Sequence, residues 1–252
     1  MKTVLVTGAT AGFGKAIAVE LAEKNCKLIL TGRREERLQE ICKEINDGEM
    51  SEATYLSFDV RNKNAVKSAL DSLEPNWQNI DVLVNNAGLA LGKSTLENGD
   101  FEDWNGMLDT NVKGLLYITQ ELIPTLKNSD SGHIINIGSI AGTEVYPGGN
   151  VYCASKHAVN AISQALRQEL LPYGIRVSQI RPGLADTEFS LVRYKGDTEK
   201  AKKVYRGFKP LLAKDIARIT WFIINSPRHV CINDLEVTPT AQANAAQIHK
   251  TE

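Results

Sequence analysis

No apolar run in this sequence approaches the roughly 20 residues that a membrane-spanning helix needs. Its start, Met1-Lys2-Thr3-Val4-Leu5-Val6-Thr7, runs straight into a glycine loop without the long apolar segment or small-residue cleavage site of a secretory leader, so a cytoplasmic protein is expected. An excess of one charge is missing too. Lys and Arg number 29 against 30 Asp and Glu, for a formal net charge of -1, and this balance gives no reason to expect nucleic acid or an anionic membrane as partner. The four cysteines, Cys26, Cys42, Cys153 and Cys231, are scattered with no CxxC, and no histidine stands at metal-ligand spacing. Reduced structural thiols are expected, with neither a disulfide frame nor a metal site. The GxSxG of a serine hydrolase is also absent, because Ile137 stands two before Ser139 where that motif needs glycine. His133, His157, His229 and His249 accordingly read as surface or polar packing residues. Neither a composition break nor an internal repeat divides the 252 residues, of which 42% are hydrophobic, so one domain with a sizeable core is expected over 1–252.

What is present is a rhythm. Thr3–Val6 is a short β-rich apolar run, followed by Thr7-Gly8-Ala9-Thr10-Ala11-Gly12-Phe13-Gly14 and a helical pattern through Ile17 and Leu21. Strand, glycine loop and helix is the arrangement that presents backbone N–H groups and a positive helix end to a pyrophosphate, with Gly8, Gly12 and Gly14 allowing close approach. The spacing is TGxxxGxG, not GxGxxG. A second strand, Lys27–Leu30, ends at Thr31-Gly32-Arg33-Arg34 with no acid at its end. An acid there suits the ribose of NAD, whereas Arg33 and Arg34 can hold the 2′-phosphate of NADP by charged hydrogen bonds. Glu35 and Glu36 suit the first turn of the next helix.

The alternation continues. Further strands are expected at 53–58, 80–84, 133–137 and 175–180, the last stopping at Arg181-Pro182-Gly183, and a long helix at about 101–126 holds Asn111 in its interior. Alternating β and α elements predict an α/β fold of Rossmann type, a doubly wound parallel sheet of about seven strands with helices on both faces. The segment 184–208 breaks the rhythm and is expected to form a flap over the C-terminal edge of the sheet.

Tyr152 and Lys156 stand four apart in a stretch that reads as helix, so both side chains share one face, one turn apart. A cation beside a phenol favours the phenolate, which can exchange a proton with an alcohol or carbonyl. A lone YxxxK is ordinarily an incidental helix-surface pair; here the rest of the chain argues for chemistry.

TGATAGFG at 7–14, NNAG at 85–88, Asn111, Ser139, YxxxK at 152–156 and PG at 182–183 together resemble the short-chain dehydrogenase/reductase family, over nearly the whole chain. The resemblance implies Tyr152 as the acid/base, Lys156 as the group that lowers its pKa and holds the nicotinamide ribose, Ser139 orienting the substrate oxygen, and Asn111 supporting a water relay behind Lys156. It implies a cofactor set of Gly8, Thr10, Gly12, Phe13, Gly14, Arg33, Arg34, Asp59, Val60, Asn86, Ala87, Gly88, Tyr152, Lys156, Pro182, Gly183 and Thr187. NNAGLALG at 85–92, INIGSIAG at 135–142, GGNVYCASK at 148–156 and EFSLVRYKGD at 188–197 look like the branch of NADP-dependent 3-hydroxy acid dehydrogenases that also act on serine and allo-threonine. Arg181 departs from that branch, where an acid is common before Pro-Gly. The competitors are a 3-oxoacyl-carrier-protein or other carbonyl reductase of the family and, in another class, a non-catalytic nicotinamide-sensing regulator.

Arg193 is the first choice to read a substrate carboxylate, beside Ser139 and Tyr152 as substrate-binding residues. Arg181 is its rival, and a pairing of Arg193 with Glu188 or Asp197 is the alternative. Apolar residues on more than one face of the helices at 112–126 and 151–170, as in Leu115-Leu116-Tyr117-Ile118, together with the resemblance, lead to the expectation of a homotetramer.

Overall fold

The computed structural model describes residues 1–48 and 50–251. In chain order, β1 is Thr3–Thr7, α1 Gly12–Ala22, β2 Lys27–Gly32, α2 Glu35–Asn46, β3 Ala53–Ser57, α3 Lys63–Asp71 and β4 Val82–Asn85. There follow α4 Phe101–Leu108, α5 Leu115–Asn128, β5 His133–Ile137, α6 Asn150–Glu169 and β6 Arg176–Pro182. The last part comprises β7 Ala185–Asp186, α7 Glu188–Arg193, α8 Thr198–Val204, β8 Leu211–Leu212, α9 Ala213–Ile224 and β9 Asp234–Val237.

Seven strands form one parallel sheet in the order β3-β2-β1-β4-β5-β6-β9. Successive strand residues face opposite sides, so each strand feeds two cores. Val4, Val6, Leu28, Leu30, Val82 and Val84 pack with Ile17 and Leu21 of α1, Leu38 and Ile41 of α2, and Ile216 and Ile223 of α9. Leu5, Ile29, Leu83, Ile134 and Val177 pack on the other side with Val66 of α3, Ile118, Leu122 and Leu126 of α5, and Leu166 of α6. Each fully buried Leu or Ile stabilises the fold by about 1.5–3 kcal/mol, so both layers hold the sheet rigid beneath its C-terminal edge. The order reverses between β1 and β4, which opens a crevice at that edge.

Two elements differ from the sequence expectation. The helix expected from Phe101 to Leu126 is interrupted at Asp109–Gly114 by a π-helical segment, which gives Asn111 an aim that a regular helix would not. Close packing surrounds it: a Cβ on Gly114 would lie 2.8 Å from Val60 Cγ2. The sixth strand, expected to stop at Arg181, runs on through Pro182, because β9 lies alongside and pairs Arg181 with Glu236 and Pro182 with Val237. The 184–208 segment is itself helical, carrying α7 and α8, and its base is pinned by the short parallel pair β7–β8.

Candidate active site

The turn after β1 is shaped by steric necessity. Gly8 has φ +65° and a Cβ there would come within 2.9 Å of Ala87 Cα, while a Cβ on Gly14 would meet the Gly8 carbonyl. Thr7 ties this loop to the turn after β4: its hydroxyl accepts from the Asn86 and Ala87 amides, both at 2.9 Å, and Asn86 Nδ2 donates to the Thr7 carbonyl at 2.8 Å. α1 starts at Gly12 with no side chain capping its first amides. These residues fit a pyrophosphate: a tight glycine turn, uncapped N–H groups and the positive end of an 11-residue helix.

Above the loop lies a cavity of about 760 Å³. Of the residues expected from sequence it brings together Gly8, Thr10, Gly12, Phe13, Arg33, Arg34, Asp59, Val60, Asn86, Ala87, Gly88, Ser139, Tyr152, Lys156, Pro182, Gly183, Thr187 and Arg193. Gly14 and Asn111 are placed behind its wall. Asn111 Nδ2 donates to the Leu89 carbonyl at 2.8 Å and to Ser155 Oγ at 3.0 Å, and its Oδ1 accepts from the Leu89 amide at 2.8 Å. It braces the backbone beside Gly88, where a Cβ would come 3.3 Å from Asn111 Oδ1 and 3.6 Å from Lys156 Nζ.

At one end Arg34 Nε and Nη2 donate to Thr10 Oγ1 at 3.1 and 2.8 Å, and Arg33 lies 3.8 Å from Asp59. Burial would push the Asp59 carboxyl up, but the hydrogen bonds and charge of Arg61, with Arg33 behind, hold it below the ordinary carboxylate range. A dense patch of guanidinium groups therefore borders the second strand's end, the chemistry a 2′-phosphate needs.

At the other end Tyr152, Ser139 and Lys156 converge. Ser139 follows β5, and its hydroxyl accepts from the Ala141 amide at 3.1 Å. Tyr152 and Lys156 occupy the first turns of α6 and are buried. Lys156 Nζ donates to the Ile137 carbonyl at 2.9 Å, and burial draws its pKa down to about 8. The resemblance assigned Lys156 the role of lowering the Tyr152 pKa. Burial pushes that phenol well above its usual value, and Tyr146 pushes it further. Ser139 and the Arg193 charge pull it downward, while the Lys156 ammonium is engaged at the end of β5.

Arg193, the last residue of α7, reaches this end. Its Nη1 donates to Tyr146 Oη at 2.8 Å, its Nε to the Gly92 carbonyl at 3.3 Å, and its guanidinium carbon lies 5.7 Å from the Tyr152 ring centroid. Neither Glu188 nor Asp197 pairs with it: Glu188 meets Arg34 and Arg37, and Asp197 meets Lys200. Arg181 lies outside the cavity wall, held by Asp234 and Glu236 at 3.3 Å each. Tyr146, Phe189 and Gln242 also line the cavity and were not singled out from sequence, and Glu188, considered there only as a partner for Arg193, lines it too. Phe189 sits 5.6 Å from the Tyr152 ring, and Gln242 Oε1 accepts from the Leu184 amide at 2.8 Å. Only Tyr146 carried a usable signal, as an aromatic six residues before Tyr152 in the loop that must pass the site. Among the described residues no cluster of three metal-ligating side chains occurs, and no helix is long and apolar enough to cross a membrane.

The chain is similar over nearly its whole length to known proteins. The chain is 47% identical over 250 residues to an Escherichia coli protein named NADP-dependent 3-hydroxy acid dehydrogenase YdfG, covering 98% of this chain and 99% of that one. It is 45% identical over 244 residues to sulfoacetaldehyde reductase 2 of Chromohalobacter salexigens, covering 96% of each. Among solved structures, the closed form of a serine dehydrogenase complexed with NADP+ superposes with a TM-score of 0.91 at 47% identity, covering 99% of this chain and all of that one. A 3-ketoacyl-(acyl-carrier-protein) reductase from Brucella melitensis complexed with NADH gives 0.81 at 26% identity, covering 94% and 96%. The short chain dehydrogenase model matches residues 2–197, and with the glycine turn, Ser139, Tyr152 and Lys156 gathered on one sheet edge, this chain belongs to the short-chain dehydrogenase family.

Proposed function

We propose that this protein is an NADP-dependent oxidoreductase that moves a hydride between the nicotinamide and the hydroxyl-bearing carbon of a small 3-hydroxy acid, of the serine, allo-threonine, 3-hydroxypropionate or 3-hydroxyisobutyrate type. The observation that carries the reading is the guanidinium of Arg193 beside the Tyr152 ring, in the cavity that also holds Ser139 and Lys156. A proton-exchanging phenol next to a fixed cation suits an alcohol that bears a carboxylate. NADP, when bound, supplies the hydride acceptor or donor.

Tyr152 carries the proton. In reduction its protonated phenol gives a proton to the incipient alkoxide, and burial keeps that phenol protonated. In oxidation it takes the hydroxyl proton, with Ser139 and the Arg193 charge favouring the phenolate. Ser139 orients the substrate oxygen, Lys156 holds the nicotinamide ribose, and Asn111 braces the backbone behind it. Arg193 takes the carboxylate by paired hydrogen bonds and fixes the carbinol carbon. The glycine turn takes the pyrophosphate, and Arg33 and Arg34 take the 2′-phosphate.

The names of the relatives support this reading, and one adds a second: a sulfoacetaldehyde reductase handles a sulfonate where a hydroxy acid has a carboxylate. Arg193 would serve either anion. The carrier-protein reductase reading has less support, since that neighbour is 26% identical. A regulator that had abandoned chemistry would not need Ser139, Tyr152 and Lys156 together. The proposal extends to one domain over 1–252 with a flap at 184–208, acting in the cytoplasm as a homotetramer.

Assaying Arg193→Gln on serine and on an uncharged secondary alcohol tests the reading. A carboxylate reader loses the acid selectively through a raised KM. Equal loss on both substrates would remove Arg193 from the substrate site.

A further inference from the structure

The flap reaches across the cavity to the arginines at the far end. Glu188, the first residue of α7, accepts from Arg34 Nη1 at 3.0 Å through Oε2 and from Arg37 Nη1 at 2.9 Å through Oε1. These groups lie 154 and 151 positions apart in the chain, so the contact exists only while the flap is folded over the second strand's end. Thr187, just before it, packs toward the glycine turn: a Cβ on Gly12 would lie 3.5 Å from the Thr187 Cβ. Arg34 is one of the two residues assigned above to the 2′-phosphate, and Arg37, one turn further along α2, was assigned no role.

We propose that Glu188 is a flap carboxylate that stands in for the 2′-phosphate between Arg34 and Arg37, so that a 2′-phosphorylated adenosine displaces it and recruits both guanidinium groups. The inference rests on the NADP reading and deepens it. Two guanidinium groups converging on separate oxygens of one carboxylate form an anion site, and a phosphate offers it three oxygens and a charge of about -1.5 to -2 in place of one negative charge. The exchange is feasible because all three side chains are close to half exposed. An ion pair so exposed shifts an equilibrium only a few-fold, enough to favour a closed flap and too little to resist a dianion. Burial alone would raise the Glu188 carboxyl, but the hydrogen bonds from Arg37 and Arg34 hold it below its usual range, so it remains an anion at neutral pH.

One consequence separates Glu188 from a residue that merely orders the flap. As a competitor it weakens ligands that carry the phosphate and leaves those without it untouched.

The test is calorimetric binding of 2′,5′-ADP and 5′-AMP to the wild type, Glu188→Gln and Arg37→Gln. Glu188→Gln should bind 2′,5′-ADP about three- to ten-fold more tightly and 5′-AMP unchanged. Arg37→Gln should bind 2′,5′-ADP more weakly by a similar factor, again with 5′-AMP unchanged. If Glu188→Gln leaves 2′,5′-ADP affinity unchanged or weakens both ligands, Glu188 is no competitor and the inference is overturned, while the NADP reading stands on the wild type's preference for 2′,5′-ADP. A wild type that binds both ligands equally would overturn the NADP reading itself.

Discussion

Replacing Lys156 with methionine should stabilise the protein in the absence of cofactor while disabling it, and the effect should fade as the pH rises. Lys156 is buried, and burial draws its pKa from 10.5 to about 8. That displacement corresponds to about 3 kcal/mol by which the fold disfavours the charged ammonium. Below pH 8 the folded protein carries the ammonium and bears the whole penalty. Between about 8 and 10.5 the unfolded chain binds the proton more than the folded one does, so stability rises with pH; above 10.5 lysine is neutral in both states and the penalty is gone. Methionine matches the unbranched stem and never carries charge. It forfeits the hydrogen bond to Ile137, a loss of about 1 kcal/mol. Denaturant unfolding of both proteins without cofactor, at several pH values from 7 to 11, isolates the lysine, since every other titration cancels in the difference. The variant's relative stability should fall by about 3 kcal/mol across that range. Parallel curves would refute the burial argument. The same variant should lose cofactor affinity and turnover, a conflict between stability and function common at active sites.

Tyr152→Phe should lower turnover by about 10² to 10⁴-fold while leaving the fold and NADP binding intact, as circular dichroism and calorimetry would record. Arg33→Ala with Arg34→Ala should weaken NADP selectively, by about 1 kcal/mol per contact at such exposed positions, and an equal loss for NAD would contradict the phosphate assignment. Tyr146→Phe frees Arg193 Nη1 and should raise KM for a hydroxy acid about five-fold, the scale of one hydrogen bond, without changing the rate on an uncharged alcohol. Light scattering at micromolar concentration should give a tetramer, with Leu116, 41% exposed on α5, inside an interface; a monomer would refute it.

The sheet was legible because its signals are local. Period-two apolar strands, helices between them and polar turns at the strand ends lie within a few residues of one another, and the glycine turn and the Tyr152–Lys156 pair inherit that locality. What escaped depends on contacts between distant segments. The π-helical segment around Asn111 answers to packing against Val60, and a run such as Asp109-Thr110-Asn111-Val112-Lys113-Gly114 carries no mark of an inserted residue. Arg181 continued its strand because β9, over fifty residues later, supplied Asp234 and Glu236 to hold it. Spacing shows which charge lies near the Tyr152 phenol but not how much water is excluded around it, and that exclusion pushes the phenol upward. Glu188, considered from sequence only as a partner for Arg193, instead meets Arg34 and Arg37, more than 150 residues away in the chain.

The most direct measurement of the central claim is isotopic. Serine or 3-hydroxypropionate deuterated at the carbinol carbon is incubated with the protein and NADP, and the reduced cofactor is analysed for deuterium. The account predicts reduced nicotinamide carrying the label at its reacting carbon, formed with NADP in clear preference to NAD and not formed by Tyr152→Phe. Absence of label with every 3-hydroxy acid tested, while a 3-oxoacyl thioester is reduced by NADPH, would contradict it and move the protein to the carrier-protein reductases.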